Sequence, residues 1–276
     1  MTELLAEIRI PELSDRVFQR VVVLAYDIAG IRLGPEKREL VKSRLIKRVR
    51  QLSLAGFDEY LEYVEKDATG QELPRMIDVL TTNKTNFFRE DAHFDFVTRV
   101  LLPEAAPKRR LRIWSAACST GEEPYTIGMV LRETIPDVDA WDIKILASDI
   151  SARVLEQATR GVYRADQVAE CPAAVRARYF TNAPGGGCRV ADSVRKLVNF
   201  ARLNLMADWP MRGPFDMIFC RNVMIYFDRP TQERLVGRFY DLIRPGGYLA
   251  VGHSESLTPV KHSYEFVQPA TYRRPG

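Results

Sequence analysis

Residues 111–126, LRIWSAACSTGEEPYT, carry the main architectural signal of the chain. The apolar run Leu111 to Ala116 has the composition of a buried strand. It breaks into the small residues Ala117, Cys118, Ser119, Thr120 and Gly121, then opens a helix with Glu122, Glu123 and Pro124. A strand that turns through small residues into a helix start is the ligand-binding corner of a parallel α/β sheet. A phosphate-binding corner keeps carboxylates away, because its helix N-terminus receives an anion. The two glutamates therefore suggest a cationic or polyhydroxyl ligand, with complementing of the helix dipole as the other role open to each.

Downstream the strand–helix alternation continues. Strands are predicted at 111–116, 143–148, 197–201, 215–220 and 248–252, and helices at Glu122–Thr134, 152–159 and 231–243. Strands separated by helices imply a parallel sheet covered on both faces. Pro245-Gly246-Gly247 reads as a turn from a helix into a strand. Residues 163–196 interrupt the rhythm with a helix at 172–179 and Gly185-Gly186-Gly187 between two short extended pieces, a small β-hairpin insertion. The tail YEFVQPATYRR, residues 264–274, reads as a closing antiparallel hairpin.

Residues 1–90 read as all-helical. Ser14 is the expected N-cap of a helix from Asp15 to Ala29 that stops at Gly30. Pro35 opens a second helix, PEKRELVKSRLIKRVRQL, with Leu40, Val41, Leu45, Ile46, Val49 and Leu52 as its apolar stripe. Lys37, Arg38, Lys42, Arg44, Lys47, Arg48 and Arg50 fill its other face. Helices at 57–64 and 73–80 follow, then the segment TTNKTNFFRE. Domains are thus expected at 1–90 and 91–276, with a β-subdomain near 178–198.

Composition excludes several classes. The 276 residues are 46% hydrophobic, yet no apolar run approaches the roughly 20 residues of a membrane span. The opening MTELLAEIRIPELSD is acidic and mixed, so no signal peptide is expected. The 4 cysteines (Cys118, Cys171, Cys188, Cys220) lack CxxC spacing, and with only 3 histidines (His93, His253, His262) no metal framework is expected. Free thiols in a reducing cytoplasm are the natural reading. Net charge is a modest +4. The basic helix has no interleaved aromatics, which argues against a single-stranded nucleic-acid partner.

Polar residues recur at the ends of the predicted strands. Asp149 follows strand 143–148, where doubly wound folds hold a ribose through its hydroxyls. Capping of the next helix by Asp149 or Ser151 is the competing role. The corner lacks GxGxxG, so a nucleoside without close pyrophosphate contact fits better than a dinucleotide. S-adenosylmethionine, whose amino-acid portion carries an ammonium for Glu122 or Glu123, is the obvious candidate. Asn204-Leu205, Arg221-Asn222 and Tyr226 occupy the same sheet edge. Asn83, Thr85, Asn86 and Arg89, interleaved with Phe87 and Phe88, form either an anchored linker or a segment that folds over the ligand, with Arg89 available for a carboxylate.

The segments LTTNKTNFFRE, WSAACSTGEEPYT, ASDIS, Asn204-Leu205, FDMIFCRNVMIYF and RPGGYLAVGHSES together resemble the chemotaxis receptor methyltransferases of the CheR family, in order and over nearly the whole chain. The resemblance implies a class I S-adenosylmethionine methyltransferase fold, α/β and Rossmann-like, with a small antiparallel β insertion and an all-helical N-terminal domain. It implies methyl transfer to receptor glutamate side chains, leaving S-adenosylhomocysteine, by a cytoplasmic monomer. Asn83, Thr85, Arg89, Glu123, Asp149, Asn204, Leu205, Arg221 and Asn222 match the family's cofactor contacts. Tyr226 falls in the segment that faces the reacting centre, and Arg89 and Tyr226 are expected to serve catalysis through positioning and electrostatics. The basic helix, with Arg44, Lys47 and Arg48, matches the receptor-facing surface. In some members the β-subdomain docks a receptor's C-terminal peptide by strand addition. The short turn TNAPGGGC departs from that pattern, so a tethering peptide is not expected here. The alternatives are another class I methyltransferase, acting on a small molecule or nucleic acid, and a non-catalytic module that senses S-adenosylmethionine.

Overall fold

The structure, a computed structural model, describes residues 11–276; the first ten, including most of the acidic opening, lie outside the described residues. The chain divides into two compact units, one ending at Thr82 and one running from Asn83 to Gly276.

The first unit contains helices Asp15–Ala29, Arg38–Gln51, Phe57–Lys66 and Glu72–Leu80. Ser14 Oγ accepts from Val17 N at 3.3 Å, and Gly30, in the left-handed conformation, returns its N–H to the carbonyls of Ala25 and Tyr26. Pro35 begins a 3₁₀ turn, Pro35–Lys37, that leads into the basic helix. Val41, Leu45, Ile46 and Val49 are buried as expected. Leu40 is 38% exposed, and Leu52 lies past the helix end, so the apolar stripe is narrower than the sequence suggests.

The second unit holds ten strands: β1 (Arg110–Ala116), β2 (Asp142–Asp149), β3 (Val162–Tyr163), β4 (Phe180–Ala183), β5 (Gly187–Val190), β6 (Val198–Arg202), β7 (Phe215–Cys220), β8 (Ile243–Val251), β9 (Glu265–Gln268) and β10 (Thr271–Arg273). The main sheet has the order β6-β2-β1-β7-β8-β10-β9. Its first five strands pair in parallel, and β9 and β10 close it as an antiparallel hairpin. The chain moves outward from β1 through β2 to β6, then returns to the other side of β1 with β7 and β8. The order reverses between β1 and β7, which makes that crevice the topological switch point where such sheets bind ligands.

Side-chain alternation builds a core on each face. Ile113, Ile145, Met217 and Phe219 pack with Ile127 and Leu131 of helix Glu122–Thr134. Trp114, Ile218 and Leu249 pack with Leu235, Val236 and Phe239 of helix Arg229–Leu242. Helices on both faces of a mostly parallel sheet make the unit doubly wound.

Three local features differ from the sequence reading. The insertion is a three-stranded sheet of order β3-β5-β4 rather than a hairpin, because β3 is two residues long and gives no periodic signal. Pro245-Gly246-Gly247 lies inside β8 as an irregularity: Phe215 faces Ile243 while Met217 faces Tyr248. The segment from Asn83 to Glu90 belongs to the second unit, eight residues earlier than the expected boundary at 90/91. Its anchor is Phe87, buried edge-on against Tyr163 and Phe180 with ring centroids 4.9 and 5.3 Å away. The four cysteines are free thiols, Cys188 half-buried and the others buried. Among the described residues, no helix is long and apolar enough to cross a membrane.

Candidate active site

The corner after β1 is tightly bent. Ala117, Ser119 and Gly121 have φ of 64°, 51° and 97°. At Gly121 a Cβ would stand 2.9 Å from Ala158 Cβ and 3.0 Å from the Tyr163 hydroxyl, so only glycine fits. Tyr163 in turn donates to the Thr120 carbonyl at 2.7 Å. The bend turns Ser119 N toward Asp149 Oδ2, 2.9 Å away. Ser151 N donates to Asp149 Oδ1 at 2.9 Å, while Ser151 Oγ caps helix Ala152–Arg160 through Val154 N. Capping thus falls to Ser151. The Asp149 carboxylate stands at the strand end, 5% exposed and braced by two backbone N–H groups. Leu203 N donates to the Asp149 carbonyl at 2.9 Å, which brings Asn204 and the buried Leu205 to the same edge. Asn204 Oδ1 accepts from Met206 N at 2.9 Å.

The two glutamates of the corner have different surroundings. Glu122 is buried, and burial pushes its carboxyl above the usual carboxylate range against an opposing hydrogen bond from Thr120. Glu123 lies in the crevice, where Ser115 Oγ donates to Oε1 at 2.6 Å and Arg221 Nη1 to Oε2 at 3.0 Å. Arg221 also pairs with Glu90 Oε2 at 3.1 Å and donates to the Arg89 carbonyl. Its side chain is 3% exposed, with carboxylates on two sides. Burial alone would raise the Glu90 carboxyl, but the charge and hydrogen bonds of Arg221 outweigh it and lower the pKa. Arg221 therefore ties the end of β7 to the helix after β1 and to the segment before it.

That segment is drawn in from its other end as well. Ser119 Oγ donates to the Asn83 carbonyl at 3.0 Å, and Phe88 N donates to Thr126 Oγ1 at 3.2 Å. Thr85 is half-buried. Arg89 is about one-third exposed (34%) and donates to the Lys84 carbonyl at 3.1 Å. Phe88 and Glu90 have φ of 55° and 57°, and Asn222, after β7, has 58°. Left-handed residues at three neighbouring segments are the pattern of backbone strain held at a functional site. Asn222 Nδ2 reaches Glu90 Oε1 at 3.5 Å, and Tyr226 ends a 3₁₀ turn, Met224–Tyr226, on the same sheet edge.

Two sets of hydrogen bonds and ion pairs thus line the strand ends, one holding Asn83, Ser119 and Asp149 and the other Glu123, Arg221, Glu90 and Asn222, with Asn204-Leu205 and Arg89 held beside them. Sequence reasoning missed Glu90, Ser119, His93 and Glu255 as parts of this arrangement. His93 is fully buried, and its pKa is pushed down to about 4 by desolvation and then by Arg221. Glu90, His93 and His253 place ligand-type atoms within 4.8 Å of one another. Arg221 already supplies a positive charge at Glu90, so a divalent cation there would meet charge repulsion.

The basic helix divides by function. Arg48 makes a two-pronged pair with Glu72, at 2.8 and 2.6 Å, and Glu72 also accepts from Tyr60 at 3.0 Å. Arg44 donates to the Leu80 carbonyl and to Thr82 Oγ1. These two arginines are committed to holding their own unit together. Lys37, Lys47 and Arg50 are exposed.

The residues fit S-adenosylmethionine on three counts: a buried carboxylate at the end of β2 for a diol, a carboxylate at the corner for an ammonium, and a small-residue bend that lets backbone approach. The parallel sheet with this crevice defines a nucleoside-binding, Rossmann-like class of domain. Residues 16–81 match the CheR methyltransferase all-alpha domain, and residues 83–273 match the CheR methyltransferase SAM binding domain. The chain belongs to the CheR methyltransferase family. It is 43% identical to a probable chemotaxis protein methyltransferase of Rhizobium etli, over 91% of this chain and 96% of that one. It is 43% identical to chemotaxis protein methyltransferase 2 of Pseudomonas aeruginosa, over 92% and 91%. Identity is also 43% with the chemotaxis protein methyltransferase of Escherichia coli, over 96% and 90%. The chain is an S-adenosylmethionine-dependent methyltransferase.

Proposed function

We propose that this enzyme esterifies glutamate side chains on the cytoplasmic helices of chemotaxis receptors, as a cytoplasmic monomer serving adaptation. The observation that carries the reading is the division of labour between two arginines. Arg221 is buried and neutralised by Glu90 and Glu123, whereas Arg89 is one-third exposed and pairs with Glu90 only at the longer distance of 3.9 Å. A site built for a neutral acceptor has no use for that second cation; an anionic acceptor does.

S-adenosylmethionine supplies an electrophilic methyl group on a sulfonium. Asp149 would hold its ribose hydroxyls and Glu123 its ammonium, with Asn83, Thr85, Asn204, Leu205, Arg221 and Asn222 forming the cradle. A glutamate acceptor is already ionised at pH 7, so no general base is required. The protein's task is to orient the carboxylate and exclude water, and orientation alone is worth about 7–11 kcal/mol in favourable cases. Arg89 and Tyr226 are assigned to positioning the acceptor without proton transfer.

The exposed Lys37, Lys47 and Arg50 offer a cationic face to a glutamate-rich receptor helix. In the β-subdomain, β4 and β5 are four residues each, joined by the short turn Pro184–Gly186. We read this as recognition without a tethering peptide; saturable binding of a receptor-tail pentapeptide to the purified enzyme would contradict it. The test of the reaction is incubation of the enzyme with purified receptor cytoplasmic fragment and S-adenosylmethionine, followed by peptide mass spectrometry. Methyl groups on glutamates support the proposal; methylation confined to other side chains, or none, rejects it.

A further inference from the structure

Beyond the residues that face the crevice, one buried carboxylate controls the loop that carries them. Glu255 is 7% exposed and follows β8, on the far side of the chain reversal at Gly252. Its Oε2 accepts from Asn222 N and Gly252 N, each at 2.7 Å. Its Oε1 accepts from Val223 N at 2.9 Å and Ile225 N at 3.1 Å. Four backbone donors thus converge on one side chain, and three belong to the loop between Arg221 and Tyr226. Packing leaves no slack, since a Cβ on Gly252 would stand 2.6 Å from Asn222 Nδ2 and 2.8 Å from Glu255 Oε2.

We infer that Glu255 is a positioning residue for methyl transfer, its carboxylate fixing the 222–226 loop so that Asn222 and Tyr226 meet the reactants in one geometry. A loop with three N–H groups turned inward has no secondary-structure partner for them. Only an acceptor with two oxygens, each taking two bonds, satisfies all four donors at once. The same pinning leaves the Ile225 side chain outward, 52% exposed beside Tyr226.

The chemistry predicts how substitution acts. Glu255→Gln offers one oxygen and turns an NH₂ group toward N–H donors, so at least two bonds are lost and the loop shifts. Glu255→Asp keeps four acceptor sites but is one methylene shorter. The inference rests on methyl transfer to receptor glutamates, so the assay is receptor-fragment methylation by the full-length enzyme, with wild type run in parallel. Lack of wild-type activity would count against the reaction assignment and not against Glu255. With wild type active, Glu255→Gln is expected to lower kcat about 100-fold, the cost of a misplacement near 1 Å. Affinity for S-adenosylhomocysteine should fall by less than kcat, about tenfold at most by calorimetry, because Asn222 is one of several cradle residues, with thermal unfolding still cooperative. Glu255→Asp should recover a measurable part of kcat. Wild-type kcat in Glu255→Gln overturns the inference, and so does parallel loss of kcat, cofactor affinity and cooperative unfolding in both variants, which would mark a purely structural residue.

Discussion

Asp149→Asn is the most informative single change at the cofactor crevice. In the folded protein one carboxylate oxygen takes Ser119 N and the other Ser151 N, both at 2.9 Å. A carboxylate has about four acceptor sites, so the same group that takes these two backbone donors can also accept from the two hydroxyls of a ribose diol. Hydrogen bonds to a charged group are worth about 1.5–3 kcal/mol each, so two of them amount to about 3–6 kcal/mol. Asparagine keeps one oxygen and presents an NH₂ group where the other stood, so roughly half that interaction survives. The dissociation constant should then rise about 10- to 100-fold, and with Asp149→Ala about 100-fold or more. Calorimetric titration with S-adenosylhomocysteine measures both. Ser151→Ala is the control: losing the cap costs about 1 kcal/mol of stability and leaves affinity within about threefold. If Asp149→Asn bound as wild type while Ser151→Ala lost affinity, the diol assignment would be wrong and the role of this edge would be helix capping.

Three further predictions follow from buried and surface charge. Arg48→Met removes the two-pronged partner of Glu72, whose side chain is 1% exposed, and should destabilise the N-terminal unit by about 3 kcal/mol in urea unfolding, with Tyr60 and Arg75, 3.7 Å away, limiting the loss. Lys47→Glu combined with Arg50→Glu should weaken receptor methylation and flatten its salt dependence, while cofactor affinity stays unchanged; unchanged methylation would make that face a bystander. His93 titrates near 4 when folded against 6.5 ordinarily, so the unfolded chain binds more protons between these values. Stability should therefore fall as pH drops from about 6.5 toward 4, by about 3 kcal/mol in all. Unfolding curves at several pH values should show the slope in wild type and lose it in His93→Gln.

The parallel sheet, the corner after β1 and the polar strand ends were readable because short apolar runs bounded by small-residue turns leave strong local patterns. Helix Glu122–Thr134 is where acids and Pro124 place it. What escaped was non-local. Glu90 and Glu255 sit among other polar residues, and their meaning comes from Arg221 and the 222–225 backbone, which only the folded chain brings to them. Arg48 looks like one more surface cation because its partner Glu72 is 24 residues away. The two-residue β3 carries too few residues for any period. Resemblance supplied what spacing could not, namely the preference for Glu123 over Glu122. The structure gives a physical reason to expect it: Glu122 is buried against Thr120, and Glu123 faces the crevice.

The chemical nature of the methylated group distinguishes this account from its rivals. Purified enzyme, receptor cytoplasmic fragment and methyl-labelled S-adenosylmethionine are incubated, the protein is precipitated, and the pellet is exposed to mild alkali. Glutamyl methyl esters hydrolyse, so the account predicts that the label leaves the protein as volatile methanol and that the Arg89→Ala enzyme incorporates little of it. Label that survives alkali on the protein would mark an N- or C-methyl product and contradict carboxylate methylation.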